Sequence, residues 1–96
     1  MSTIHGTEVL TSSGTLISSG APVRVYSLTL VGSGTAGVEL YNGTSATGTA
    51  RVSIAAAAAT RTTTQNFEGG MLFPSGCYVE LETSVSQAVL ECRREL

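Results

Sequence analysis

Short apolar and β-branched runs, set apart by glycine and threonine at fairly even intervals, predict an all-β fold. The expected architecture is a single-domain β-sandwich of seven or eight short strands, jelly-roll-like. Length supports it: 96 residues make one small domain with one core, spanning 1–96 with a flexible N-terminal arm over 1–6. Composition supports it as well, because 42% of the residues are hydrophobic, enough for a packed interior. The one helix-like stretch is five alanines, Ala55 to Ala59, far short of the ~12–15 residues an isolated helix needs.

The elements follow in order. Thr7 to Ser12 is a first run, closed by Ser13-Gly14-Thr15, and Leu16 to Ser18 a second, ended by Ser19-Gly20-Ala21-Pro22. Val23 to Val31 is the clearest strand. Strict alternation places Val23, Val25, Ser27, Thr29 and Val31 on one face and Arg24, Tyr26, Leu28 and Leu30 on the other. Both faces are then largely apolar, which predicts a central strand covered on both sides, with a neighbouring subunit as one cover. Gly32-Ser33-Gly34-Thr35 is a turn. Val38 to Asn42 sends Val38 and Leu40 inward and Glu39 outward. Asn42-Gly43 opens a loop, and Ala50 to Ile54 follows, with Val52 and Ile54 inward.

The alanines come next. Ile54 gives them no N-cap and threonines follow at once, so the run reads as extended strand end and loop, its small side chains admitting another backbone or subunit. Thr60 to Glu68 resumes as a strand that stops at Gly69-Gly70. Met71 to Phe73 is a further strand, and Pro74 and Gly76 fit a type I turn over Phe73–Gly76. Cys77 to Thr83 and Gln87 to Glu91 make a last hairpin. A tight register would set Leu81 opposite Ala88, Val79 opposite Leu90 and Cys77 opposite Cys92, at Cα separations of ~4.5–5.5 Å. That geometry permits a disulfide, but a chain made in a cytoplasm keeps its thiols reduced. The expectation is two buried, reduced, adjacent cysteines acting as small core residues.

Charge narrows the function. Charged residues are 12% of the chain, about half the usual ~25%. Lysine and aspartate are absent, and all five cations are arginine: Arg24, Arg51, Arg61, Arg93 and Arg94. The 12 serines and 14 threonines make a surface of hydroxyls and backbone, poorly protected against association and suited to being covered by partners. A net charge of −2 argues against nucleic acid. No apolar run reaches the ~20 residues of a membrane span. The N-terminus has no basic region leading into an apolar run, so no export signal is read.

Catalytic supply is thin, and the chain reads as a non-enzyme with no cofactor and no metal. His5, the single histidine, falls in the expected arm, where a solvated residue is the ordinary case. Without a second histidine or an aspartate there is no Ser-His-Asp triad, and the two cysteines lack metal-site spacing. Glu80 and Glu82 share a face and could work as an acid–base or cation pair, but alternation alone explains them as the solvated side of a hairpin. Asn42-Gly43-Thr44 reads as a loop rather than a glycan acceptor, and Gly32–Gly37 as a turn rather than a phosphate loop, lacking both the lysine and the helix. Tyr26, Tyr41, Phe67, Phe73 and Tyr78 fall at core-like strand positions, where packing is the expected role.

Taken together, "PVRVYSLTLV", "AGVELYNGTSATGTARVSI" and "FEGGMLFPSGCYVEL" resemble a class of small all-β virion proteins of tailed phages, especially phages of marine bacteria and cyanobacteria. The resemblance covers about residues 22–91. It implies a structural role on the particle: a capsid decoration or cement protein that stabilises a head shell. The implied partners are the major capsid protein and further copies of the chain, with a trimer expected by family analogy. The implied location is the virion, after synthesis in the host cytoplasm. The class supplies no position-specific binding motif. Candidate contacts therefore come from chemistry: Arg24 and Arg51 for planar bidentate contacts, and Ala57 for close approach. Two alternatives stand beside this. One is a receptor- or glycan-binding virion module, for which Gln65-Asn66-Phe67 is the candidate aromatic cluster. The other is a tail or head–tail connector subunit.

Overall fold

Alternating inward side chains need a second apolar layer, and two four-stranded sheets supply it for each other. The computed structural model describes residues 5–16, 20–32, 36–56, 62–82 and 85–94. Its strands are β1 (His5–Leu10), β2 (Gly14–Thr15), β3 (Val23–Gly32), β4 (Ala36–Asn42), β5 (Val52–Ala56), β6 (Thr62–Phe73), β7 (Cys77–Leu81) and β8 (Val85–Arg94). The longer sheet has the order β1-β8-β3-β6 and the shorter β2-β7-β4-β5, and every pairing is antiparallel. Partners β1·β8, β2·β7, β3·β6 and β4·β5 describe one long hairpin, bent at β4–β5 and rolled over itself. That is the jelly-roll topology expected from the sequence.

Rolling has a consequence for the connections. Only β4 and β5 are neighbours both in the chain and in a sheet; each other link crosses between sheets. The last hairpin of the sequence reading is therefore wrong. The Val85 N–H donates to the Glu82 carbonyl at 3.0 Å, closing a tight turn. Yet the turn is an arch, with β7 pairing β4 and β8 pairing β1 and β3. A turn's length does not reveal whether its strands pair side by side or stack face to face. The Phe73–Gly76 turn, closed by Gly76 N–H to the Phe73 carbonyl at 3.1 Å as expected, is an arch of the same kind.

Inside lie Leu16, Val23, Val25, Leu28, Leu30, Val38, Leu40, Phe73, Cys77, Val79, Val85, Ala88, Leu90 and Cys92, all buried. Leu10, Val52, Ile54, Phe67, Met71 and Leu81 pack on them. Cys77 and Cys92 are both free and buried, as expected, but they come from opposite sheets rather than opposite strands of a hairpin.

On β3, strict alternation fails in an instructive way. Val25 stands opposite Cys92 and Met71, whereas Ser27 stands opposite Glu91 and Asn66, so the register shifts at Tyr26. The bulge moves the inward phase by one residue. Val23 and Val25 before it, and Leu28 and Leu30 after it, all point to the same core. The two apolar faces of the sequence reading are one face with a phase change, and no outer subunit is required to cover a second.

Opposite Tyr26, β6 spends four residues, Phe67 to Gly70. Gly69 and Gly70 take φ of 77° and 85°, the left-handed region that glycine enters at little cost. These glycines were expected to end a strand; instead they carry it through the bulge, so β6 runs unbroken to Phe73. A Cβ on Gly70 would lie 2.5 Å from Arg24 Cγ and 2.8 Å from Tyr26 Cε1.

The ends of elements differ in smaller ways. His5 and Gly6, placed in a loose arm by sequence, begin β1 through pairing with Arg93 and Cys92, which ties that backbone into the sheet. β2 is Gly14–Thr15 rather than Leu16 onward, and Leu16 is a buried residue just after it. Ala55 and Ala56 close β5 as extended backbone, as argued for the alanine run; Ala57 to Ala59 lie outside the described residues.

Candidate interaction surfaces

Each strand spends one face on the core, and the other faces are available for chemistry. On the shorter sheet Val38 and Leu40 of β4 point inward, so Glu39 and Tyr41 point out. Cys77 and Val79 of β7 point inward, so Tyr78 and Glu80 point out. The register sets Glu39 directly opposite Glu80 and Tyr41 directly opposite Tyr78. An aromatic row and an acidic row thus lie side by side. Tyr41 Oη donates to Glu39 Oε1 at 2.8 Å. That bond holds the phenol proton and raises the Tyr41 pKa; partial burial and the charges of Glu39 and Glu80 push the same way. Glu82 adds a third carboxylate, its N–H donating to the Gly37 carbonyl at 3.1 Å and its side chain lying where a Cβ on Gly37 would be. No described arginine lies on this face.

The longer sheet carries the arginines. Arg24 of β3 pairs in register with Arg93 of β8 on one side and Leu72 of β6 on the other. Arg24 Nη1 donates to the Gly70 carbonyl at 3.3 Å. Arg51, just before β5, reaches across the sandwich edge to donate to the Leu72 carbonyl at 2.8 Å, its guanidinium 5.4 Å from the centroid of the Phe73 ring. Arg93 stands 5.7 Å over Tyr26. The structure thus brings the expected residues Arg24 and Arg51 together at neighbouring carbonyls of β6, each bonded within its own chain. Ala57, the third expected contact, lies outside the described residues. The adjoining row carries Glu91 between Thr7 and Ser27, and in the row beyond it Val9, Val89, Thr29 and Thr64 stand in register across all four strands, Thr29 and Thr64 sharing a hydroxyl hydrogen bond of 2.9 Å.

The aromatic residues divide differently from the sequence reading. Phe73 is fully buried and Phe67 packs on the core, but all three tyrosines are half-buried on outward faces. Gln65-Asn66-Phe67 does not form a platform: Gln65 shares the inward-facing side with Leu28, Asn66 the outward side with Ser27, and Phe67 packs inward. Glu39, Tyr41, Tyr78 and Glu80 are the grouping that sequence reasoning missed. Alternation assigns each of them outward, but only the pairing of β4 with β7 brings them together.

Among the described residues, no three of His, Cys, Asp and Glu come together as metal ligands would. No described helix is long and apolar enough to cross a membrane. Burial raises the thiol of Cys77 to about 12, with the neighbouring Cys92 adding to the shift. Burial likewise raises Cys92 to about 11, with a smaller push from Glu8. Both are protonated at neutral pH and are poor nucleophiles. No family model matches the chain, and no curated protein or solved structure matches it.

Proposed function

We propose that this protein is a structural component of a virus particle, a decoration or cement protein that stabilises a phage head shell through protein–protein contacts. The observation that carries the reading is the outer face of the shorter sheet. Like charges directly opposed across two strands destabilise a sheet, and Glu39 and Glu80 hold that arrangement with two tyrosines beside them. Such a face gains by being covered with a cationic partner. Jelly rolls serve in capsids and lectins alike, so the fold agrees with the reading without deciding it. A cement protein acts by mass action: binding the assembled shell but not its separate subunits stabilises the shell, and many copies multiply a modest contact.

The test is co-sedimentation with shells assembled from the major capsid protein of a tailed phage, and with the same capsid protein unassembled. Binding to shells alone is expected; equal binding to both, or to neither, removes the cement role. The receptor- or glycan-binding alternative is favoured by one observation. Tyr41 and Tyr78 offer ring faces for sugar stacking, with the carboxylates of Glu39 and Glu80 as acceptors for sugar hydroxyls. Saturable binding to a glycan array, lost in Tyr78→Ala, would replace the cement reading with that one.

A further inference from the structure

We infer that the acidic–aromatic face of one copy takes the arginine row of a second copy, so that the chain associates with itself head to tail. This deepens the proposed function by naming one partner, and it is read by a separate experiment.

The two surfaces match in charge. Glu39, Glu80 and Glu82 gather on one side of the sandwich with no described arginine among them. Arg24, Arg93 and Arg51 gather in one row on the other side and at its edge, with Glu91 as the carboxylate of the adjoining row. A guanidinium binds a carboxylate through two parallel N–H donors while its plane lies on an aromatic ring. The chain already stacks arginine on rings twice, Arg51 on Phe73 and Arg93 on Tyr26. The tyrosine and glutamate rows of the shorter sheet offer the same ring together with the carboxylate. Contacts within a copy fix the direction of each guanidinium, which has five donors to distribute.

The surfaces occupy different sheets of one molecule, so the contact is heterologous rather than two-fold. A heterologous contact closes into a ring when its rotation allows and otherwise runs on as a filament. Outer faces of two opposed sheets point in opposite directions, so this contact stacks copies in a row rather than closing three of them.

Sedimentation velocity on the full chain tests this, at about 20 mM and about 500 mM salt, which brackets strong and weak screening. Association at low salt is expected, with an apparent Kd at least about tenfold weaker at high salt, since exposed charge pairs are screened. Two charge-reversed variants then separate the surfaces: Glu39→Arg with Glu80→Arg, and Arg51→Glu with Arg93→Glu. Each alone should sediment as a monomer with an unchanged circular dichroism spectrum, and an equimolar mixture should associate again, because each now complements the other. Should a reversal fail to fold, Glu80→Gln and Arg51→Gln each weaken association by about tenfold without reversing charge, the ordinary size for losing one charge-assisted contact. A wild-type monomer at low salt, or folded variants that associate as before, or a mixture that stays monomeric, overturns the inference. A chain that binds shells as a monomer overturns it while leaving the cement reading intact; assemblies that ignore shells do the reverse.

Discussion

On the shorter sheet the outward neighbours of Leu40 are Glu39 and Tyr41, facing Glu80 and Tyr78; on the longer sheet the outward residues include threonines, valines, Glu91 and an arginine row. Inward, the two sheets follow one rule and share one core. The core dictates every second residue of a strand, whereas nothing inside the chain dictates the remainder. Like charges stand face to face on both sheets, Glu39 with Glu80 on the shorter and Arg24 with Arg93 on the longer.

The shared core gives the largest expected effects. Leu28 of the longer sheet and Leu40 of the shorter are both fully buried. Leu28→Ala and Leu40→Ala should each cost about 2–5 kcal/mol in urea unfolding. A much smaller loss for one of them would mean that the sheets do not share the interior equally.

Next comes the thiol pair, one from each sheet. Both folded pKa values lie above the ordinary 9.0, at about 12 for Cys77 and about 11 for Cys92. The folded chain thus holds protons that the unfolded chain releases. This contribution is fully present below pH 9 and is lost as pH rises towards 11–12, so the urea midpoint should fall across that window. Replacing both cysteines by Ala should flatten the fall. Native protein should also resist alkylation that unfolded protein undergoes quickly.

The bulge sharpens the comparison on the longer sheet alone. Gly69 and Gly70 share a left-handed backbone, but only Gly70 lies under Arg24 and Tyr26. Gly69→Ala should cost about 1 kcal/mol, the left-handed penalty, and Gly70→Ala about 2 kcal/mol or more because Arg24 must also move. Equal losses would show that the Arg24 stem yields freely.

The smallest effect has the opposite sign. Glu80→Gln relieves the opposition to Glu39 and should raise the stability of the dissociated chain by about 0.5 kcal/mol at low salt and low protein concentration. It should also lower the Tyr41 pKa, read by ultraviolet titration, since Glu80 is one of the charges holding it up. A loss of stability instead would mean that Glu80 has a favourable partner in its own copy.

The strands were legible from sequence because alternation and turn residues are local signals. Val38-x-Leu40 and Cys77-x-Val79-x-Leu81 assign faces without any structure. Partners were not legible, because a jelly roll pairs strands distant in the chain, and a three-residue link such as 82–84 serves an arch as readily as a hairpin. The β3 bulge was missed for another reason. A phase shift looks, residue by residue, like a second apolar face, and its glycines sit on β6, some forty positions away. The tyrosine–glutamate face needed both faces and partners, so the sequence held half of it.

The rolled hairpin also fixes when this protein can exist. His5 of the first strand pairs with Arg93 of the last, and β8 lies between β1 and β3 in the middle of its sheet. On the ribosome, β1 and β3 wait without their shared neighbour until β8 has emerged, and nearly every ladder closes a long loop. Folding is then a late, concerted event, slow among domains of this size, and unpaired edges stand open during synthesis. Copies translated from one message are close together in that interval, so chains still lacking β8 are the ones exposed to tangling.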